Sequence, residues 1–388
     1  LLYRYRDIYL PGPDVGTNDA DMKLIAIENG LDNALSKPVE MGGNRIDRLG
    51  AAGGGLIIAL EALVKELPRL LHLPQFSHLK IPEQPQVTIL IQGFGAVGAQ
   101  AARHLCQRLP SAKVVGISDI SGYLYAESGL PIDQLYNIWE KQGIVMRPFY
   151  NTNLASLPLG ASNIKYSNAP DDLLRETAFC LIPAAPIDNY LGIDNTSLPS
   201  MTTDKMGSWS LIIEGANTYS PVHERKLSRQ KMEREVYRNR GILIAPDYLV
   251  NSGGVIYAAQ EHLIKTPTHL RIPDELLSHP DLVDNWLSEH KIDLNALAET
   301  RLQAAEKARE AVICRNMHEL VDLLITDADM LPSEAAERIS IRRITSREKN
   351  RTAEDIMESI ITVQTTDSVP RAAQLLVETG CPILAVLN

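Results

Sequence analysis

Residues 91–98 read "IQGFGAVG", placing Gly93, Gly95 and Gly98 in the spacing G-x-G-x-x-G. The apolar run "VTILIQ" (87–92) precedes them and the helix-like stretch "VGAQAARHLCQRL" follows. Glycine at the first position permits a tight turn. At the second it lets a pyrophosphate approach the backbone, and at the third it lets helix and strand pack closely. The first helical turn then aims its N–H groups at the phosphates. Gly93, Phe94, Gly95, Ala96, Val97 and Gly98 are therefore the candidate dinucleotide loop. Asp119 ends the next strand, "VVGISD", at about the twenty-residue offset where a carboxylate accepts from ribose hydroxyls. That charge favours NAD, and NADP stays open because a neighbouring cation could offset repulsion of a 2′-phosphate.

Other polar residues stand where turns meet apolar segments. Asp14 lies in "YLPGPDVGTND" (9–19), Asn217 closes "IIEGAN", and Asn251 interrupts "PDYLVNSGGVI". By residue type alone Asp14 reads as an Asx-turn residue after proline, Asn217 as a turn residue and Asn251 as a helix N-cap. The nine histidines lack ligand spacing such as H-E-x-x-H, so no metal site is expected.

The elements that must position these residues follow from the hydrophobic pattern. Residues 19–36 and 51–71 show helical periodicity, with a long glycine- and charge-rich loop between them. "HLPQFSHLKIPEQP" reads as a linker. "VTILIQ", "KVVGIS" (113–118), "FCLIPAA" (179–185), "SLIIEGAN" (210–217) and "GILIAPD" (241–247) are apolar throughout, and "GYLYAESG" reads as a hairpin turn. Strands of this kind alternating with helices predict an α/β protein with a Rossmann-like, doubly wound parallel sheet covered on both faces. The charge-laced segment 221–240 reads as a helix with a solvated face, and 252–345 as helical and connective.

The 388 residues are 45% hydrophobic and 22% charged, with a net charge of −10, which argues against nucleic acid or an anionic membrane as partner. Four scattered cysteines, Cys106, Cys180, Cys314 and Cys381, fit a reducing compartment, and no apolar run reaches membrane-spanning length. A cytoplasmic chain is expected.

Six blocks in order resemble the glutamate/leucine/phenylalanine/valine dehydrogenases. "PGPDVGTNDADM" is similar to that family's P-x-P-D-[MV]-[GN]-T, "SKPVEMGG" to G-K-P-x-E-x-G-G, and "IQGFGAVG" to Q-G-F-G-N-V-G. "LIPAA", "IIEGAN" and "PDYLVNSGGVI" resemble three further blocks. The resemblance implies reversible NAD(P)-dependent oxidative deamination of an α-amino acid to a 2-oxo acid and ammonia, by a homo-oligomer when the chain is full length. It implies proton transfer by Asp14, a ribose contact by Asn217, a carboxamide or substrate-carboxylate contact by Asn251, and a backbone contact to the cofactor by Ala184.

The chain departs from the pattern in three places. No lysine precedes Asp14, and Lys23 and Lys37 match no block, so the catalytic lysine is expected in sequence upstream of a truncated start. "AAGGG" stands where the family has a threonine-bearing A-T-G-R-G: Ala52 replaces the threonine and Gly54 the arginine used by glutamate-type members. Ala258, with Tyr257 and Ala259, stands where glutamate-specific members carry a serine. That apolar wall favours a branched or apolar amino acid, because burying an unpaired carboxylate is costly. A dehydrogenase-derived sensor that binds dinucleotide or amino acid without turnover is the alternative.

From Thr352 onward the chain resembles the opening of a cystathionine-β-synthase (CBS) type domain, which implies an adenine nucleotide as a further ligand. The expected organisation is a substrate-domain remnant (1–55), a dinucleotide-binding domain (56–262), a helical segment (263–350) and a partial CBS domain (351–388).

Overall fold

The computed structural model describes residues 9–14, 16–44, 46, 50–82, 87–158 and 162–347, together with 362–364, 366, 368, 370, 371, 374 and 385–387. Contacts divide the chain into Leu1–Ala336 and Glu337–Asn388.

In the first unit the apolar runs become strands β1 (Thr88–Gln92), β2 (Lys113–Asp119), β3 (Gly122–Tyr125), β4 (Lys165–Ser167) and β5 (Cys180–Pro183). They are followed by the short β6 (Leu191–Gly192) and β7 (Met201–Thr202), then β8 (Leu211–Ile213) and β9 (Leu243–Ala245). Seven of them form one sheet in the order β4-β3-β2-β1-β5-β8-β9. The five from β2 to β9 run parallel, and β3 and β4 join as an antiparallel edge. Buried residues run without alternation through β1, β5, β8 and β9, as strands covered on both faces require. The parallel, doubly wound core expected from the sequence is present.

The helices are α1 (Asp19–Asn29), α2 (Ala51–Leu70), α3 (Ala96–Arg108), α4 (Ile132–Gln142), α5 (Met146–Asn153), α6 (His223–Glu233), α7 (Asp247–Val250), α8 (Gly253–Leu263), α9 (Pro280–Glu289), α10 (Lys291–Thr326) and α11 (Pro332–Arg347). The most buried of the long helices is α2, with Leu56, Ile57, Leu60, Leu63 and Leu67 fully enclosed where it packs against α3, α8 and α10. Its consecutive Gly53, Gly54 and Gly55 permit those approaches, since each faces atoms of a different neighbour at distances no Cβ would tolerate. Apolar residues of α1, among them Met22, Ala26 and Ile27, pack with Leu270, Val283, Trp286 and Leu294 from the other end of the unit.

Several elements differ from their sequence reading. The first helix stops at Asn29 because Gly30 takes φ +95, and its start is fixed by a capping box between Asn18 and Asp21. "GYLYAESG" supplies a strand, β3, as well as a turn. The linker holds a 3₁₀ turn at Pro74–Phe76, anchored by the buried Phe76 ring against Tyr237. The α6 face is not wholly solvated: Arg229 binds the buried Glu214 and Glu233.

In the second unit β10 (Thr362–Gln364) pairs in parallel with β11 (Ala385–Leu387). Most of the helix expected between them, and the "DIM" start of the CBS resemblance, lie outside the described residues.

Candidate dinucleotide and substrate site

The turn from β1 into α3 is built by its glycines. Gly93 adopts φ +94, and the Gly93 and Phe94 N–H groups donate to the Ser118 carbonyl at 3.1 and 2.7 Å. A Cβ on Gly93 would lie 2.5 Å from the Ala185 nitrogen, so this turn seats directly against Ala184 and Ala185. The Ala184 N–H in turn donates to the Gln92 carbonyl at 2.7 Å. A Cβ on Gly98 would overlap the Gly93 carbonyl oxygen, whereas one on Gly95 would meet open space. Gly95 N-caps α3 and no side chain caps that helix, which leaves its first-turn N–H groups facing outward. An open glycine beside an uncapped helix start fits a pyrophosphate. Phe94 is buried, so that position can serve a ligand only through its backbone.

The end of β5 places the next residues. Both Gly215 and Ala216 donate to the Pro183 carbonyl at 2.8 Å, which folds the chain back and presents Asn217. Asn251, whose N–H caps α7 at the Asp247 carbonyl, donates its Nδ2 to Asn217 Oδ1 at 2.9 Å and to the Gly215 carbonyl at 3.4 Å. Gly93, Ala184, Asn217 and Asn251 thus meet beyond the carboxyl ends of β1, β5, β8 and β9. Here β2 extends the sheet on one side of β1 and β5 on the other, the place where open α/β sheets bind ligands.

Asp119 has a different part. Its Oδ1 accepts from the Ser121 N–H (2.7 Å) and hydroxyl (2.6 Å), and its Oδ2 from the N–H groups of Val145 (2.6 Å) and Met146 (3.0 Å). Four donors fill the four lone pairs of a carboxylate. Asp119 therefore closes the start of α5, a part the sequence did not announce, and its carboxylate is engaged by these four donors.

Asp14 enters on a separate, exposed turn closed by Thr17: the Thr17 Oγ1 accepts from the Asp14 N–H at 2.8 Å and donates to the Asp14 carbonyl at 2.9 Å. Ala258 lies on the half-buried side of α8, next to the enclosed Tyr257, whose hydroxyl burial pushes up to about 12.

The buried ionic pairs that brace this region have no local sequence signal. Lys37 Nζ donates to Glu261 Oε1 at 2.5 Å and to the Ala34 carbonyl at 2.7 Å, while Glu261 Oε2 accepts from the Ser36 and Asn44 N–H groups at 3.1 Å. Asn44 Nδ2 donates to the Tyr257 carbonyl at 2.9 Å. The far end of α8 is thereby tied to the 36–44 loop, and burial pushes the Lys37 ammonium down. Behind Asn217, Glu214 accepts from Arg229, Tyr190 and Thr218. Among the described residues no group of three or more His, Cys, Asp or Glu side chains could hold a metal ion, and no helix is long and apolar enough to cross a membrane.

A family model described as Glutamate/Leucine/Phenylalanine/Valine dehydrogenase matches residues 42–269. The NADP-specific glutamate dehydrogenase of Saccharolobus shibatae is 28% identical over 265 residues, covering 66% of this chain and 51% of that protein. The NADP(+)-dependent glutamate dehydrogenase of Pyrobaculum calidifontis is 30% identical over 260 residues, covering 65% of this chain and 51% of that protein. The chain thus spans about half the length of these relatives. A solved glutamate dehydrogenase structure is similar in fold, with a TM-score of 0.57 at 16% identity over 91% of this chain and 66% of that one.

Proposed function

The chain belongs to the Glutamate/Leucine/Phenylalanine/Valine dehydrogenase family, and from that premise we propose that it carries out oxidative deamination of an α-amino acid with NADP as the hydride acceptor. The observation that carries the reading is the meeting of the Gly93 turn, Ala184 and the Asn217–Asn251 pair at the reversal point of the sheet.

In this reading the open Gly95 and the α3 N-terminus hold the pyrophosphate, and Asn217 and Asn251 orient the nicotinamide end. Bound there, the nicotinamide supplies an acceptor for the hydride leaving the amino acid Cα. Asp14 relays protons as water replaces ammonia, and Ala258 with Tyr257 walls the substrate side chain. NADP is preferred to NAD for two reasons. The Asp119 carboxylate is saturated by its own donors, and the α5 N-terminus, with Arg147 in its first turn, surrounds the end of β2 with positive potential. The named relatives use NADP.

The test is NADPH formation by the purified chain with glutamate, leucine, valine and phenylalanine, together with fluorescence titration of NADPH and NADH. Binding of neither nucleotide would remove the proposal.

A second reading, a dehydrogenase-like binder without turnover, has its own support. Lys23 pairs with Asp284 at 2.9 Å and Lys37 with Glu261, so the two lysines nearest Asp14 in sequence are both engaged elsewhere. Ala52 offers no hydroxyl. NADPH binding without turnover on any of the four amino acids would select this reading. Nucleotide control through 351–388, a homo-oligomeric assembly and cytoplasmic residence belong to the same proposal and rest on sequence alone.

A further inference from the structure

One carboxylate lies behind both halves of the Asn217–Asn251 pair. Asp247 begins α7, one helical turn before Asn251, and is 3% exposed. Its Oδ2 accepts from the N–H groups of Thr218 (2.7 Å) and Tyr219 (2.9 Å), the residues that follow Asn217. Its Oδ1 accepts from the Tyr248 N–H at 2.8 Å, and its carbonyl from the Asn251 N–H at 2.8 Å. The side chain of Asp247 thus holds the turn after β8, and its backbone holds the turn after α7.

This bracket is firmer than the amide pair it supports. The bond between Asn251 and Asn217 is neutral and exposed, whereas a charged acceptor away from water makes stronger bonds. Neighbouring groups lock both ends. Thr218 Oγ1 donates to the buried Glu214 at 2.9 Å, and Arg229 holds Glu214 in turn. The Tyr219 and Tyr248 rings meet edge to face, their centres 5.7 Å apart. Asn316 Nδ2 donates to the Leu249 carbonyl at 2.6 Å and ties α7 to α10. Two turns from distant parts of the chain therefore reach hydrogen-bond distance because Asp247 grips both.

We propose that Asp247 is the positioning residue of the nicotinamide end, setting the spacing at which Asn217 and Asn251 present their amides. This rests on the dehydrogenase reading for the identity of the ligand. Asp247 acts through the two asparagines, so its loss is felt by the nicotinamide. The phosphates do not feel it, because in that reading the Gly95 turn and the α3 start hold them from the end of β1.

The experiment measures, by calorimetry on the whole chain, binding of NADPH and of 2′-phospho-ADP-ribose, which is NADP without its nicotinamide. Asp247→Ala should bind NADPH about three- to tenfold more weakly, the loss expected when the amide pair is misplaced. It should bind 2′-phospho-ADP-ribose as wild type does. Asp247→Asn keeps a neutral, weaker acceptor, should fall between wild type and Asp247→Ala, and carries the test if Asp247→Ala does not fold. Asp247→Ala added to Asn251→Ala should cost less than the product of the two single losses, because both act on one pair. A folded variant that loses both ligands equally or neither, or single losses that multiply in full, overturns the proposal and leaves the dehydrogenase reading standing. Wild type that fails to bind NADPH removes that reading and this proposal together.

Discussion

Asn251 donates to Asn217 across 2.9 Å, joining the ends of β8 and α7 that lie 34 residues apart in the chain. The bond fixes which amide atoms remain to meet a nicotinamide: the Nδ2 of Asn217 and the Oδ1 of Asn251. Asn251→Ala is expected to weaken NADPH binding about three- to tenfold, the loss of one hydrogen bond with its orientation. Asn217→Asp keeps the acceptor for Asn251 but removes the Nδ2 that would face the nicotinamide, so it should weaken NADPH binding by a similar factor. Fluorescence titration of the two variants checks both, and an unchanged affinity in either would count against the assignment.

Gly95 and Gly98 should separate binding from folding. A methyl on Gly98 collides with the Gly93 carbonyl and stands 2.9 Å from Ile91 Cγ2. Gly98→Ala should therefore cost about 1–3 kcal/mol as overpacking. Gly95→Ala meets open space, should change stability by less than about 1 kcal/mol, and should still weaken NADPH binding by filling the phosphate approach. Urea midpoints and nucleotide titration on both proteins decide it.

Asp119→Ala tests a cap against a cofactor contact. As a cap, its loss should lower stability by about 0.5–2 kcal/mol and leave the ratio of NADPH to NADH affinities unchanged. Were the carboxylate a ribose acceptor, NADH binding would fall selectively.

The exposed clasp between α2 and α10 sets a pH dependence. His318 Nδ1 lies 3.0 Å from Glu66 Oε1 and its Nε2 3.3 Å from Asp322 Oδ2, and these carboxylates raise the imidazole above its usual 6.5. The folded chain then holds that proton more tightly than the unfolded one. Its stabilising contribution is complete below pH 6.5 and is lost as pH rises through the raised folded value. Thermal midpoints should decline across that interval, and His318→Gln should flatten the decline. A wild-type profile as flat as the variant's would refute the assignment.

What was legible in the residues was local. The glycine spacing at 93–98 announces its turn because three backbone constraints lie within six residues. The strands announce themselves because burial on both faces removes alternation, and Gly30 ends α1 by its own φ. Sequence by itself therefore determined the α/β class, the order of the strands along the chain and the glycine turn between β1 and α3. Tertiary structure alone decided which polar groups are engaged and with what. Asp119 stands where a ribose acceptor belongs, yet α5 takes its lone pairs from 26 residues away. Lys37 finds Glu261 across 224 positions, and the gap at Gly54 is filled by Arg309 across more than that. A hydrogen bond or ion pair forms only where packing brings both partners within about 3 Å, and in this protein that packing is set by the helices around α2, whose mutual placement no local pattern encodes.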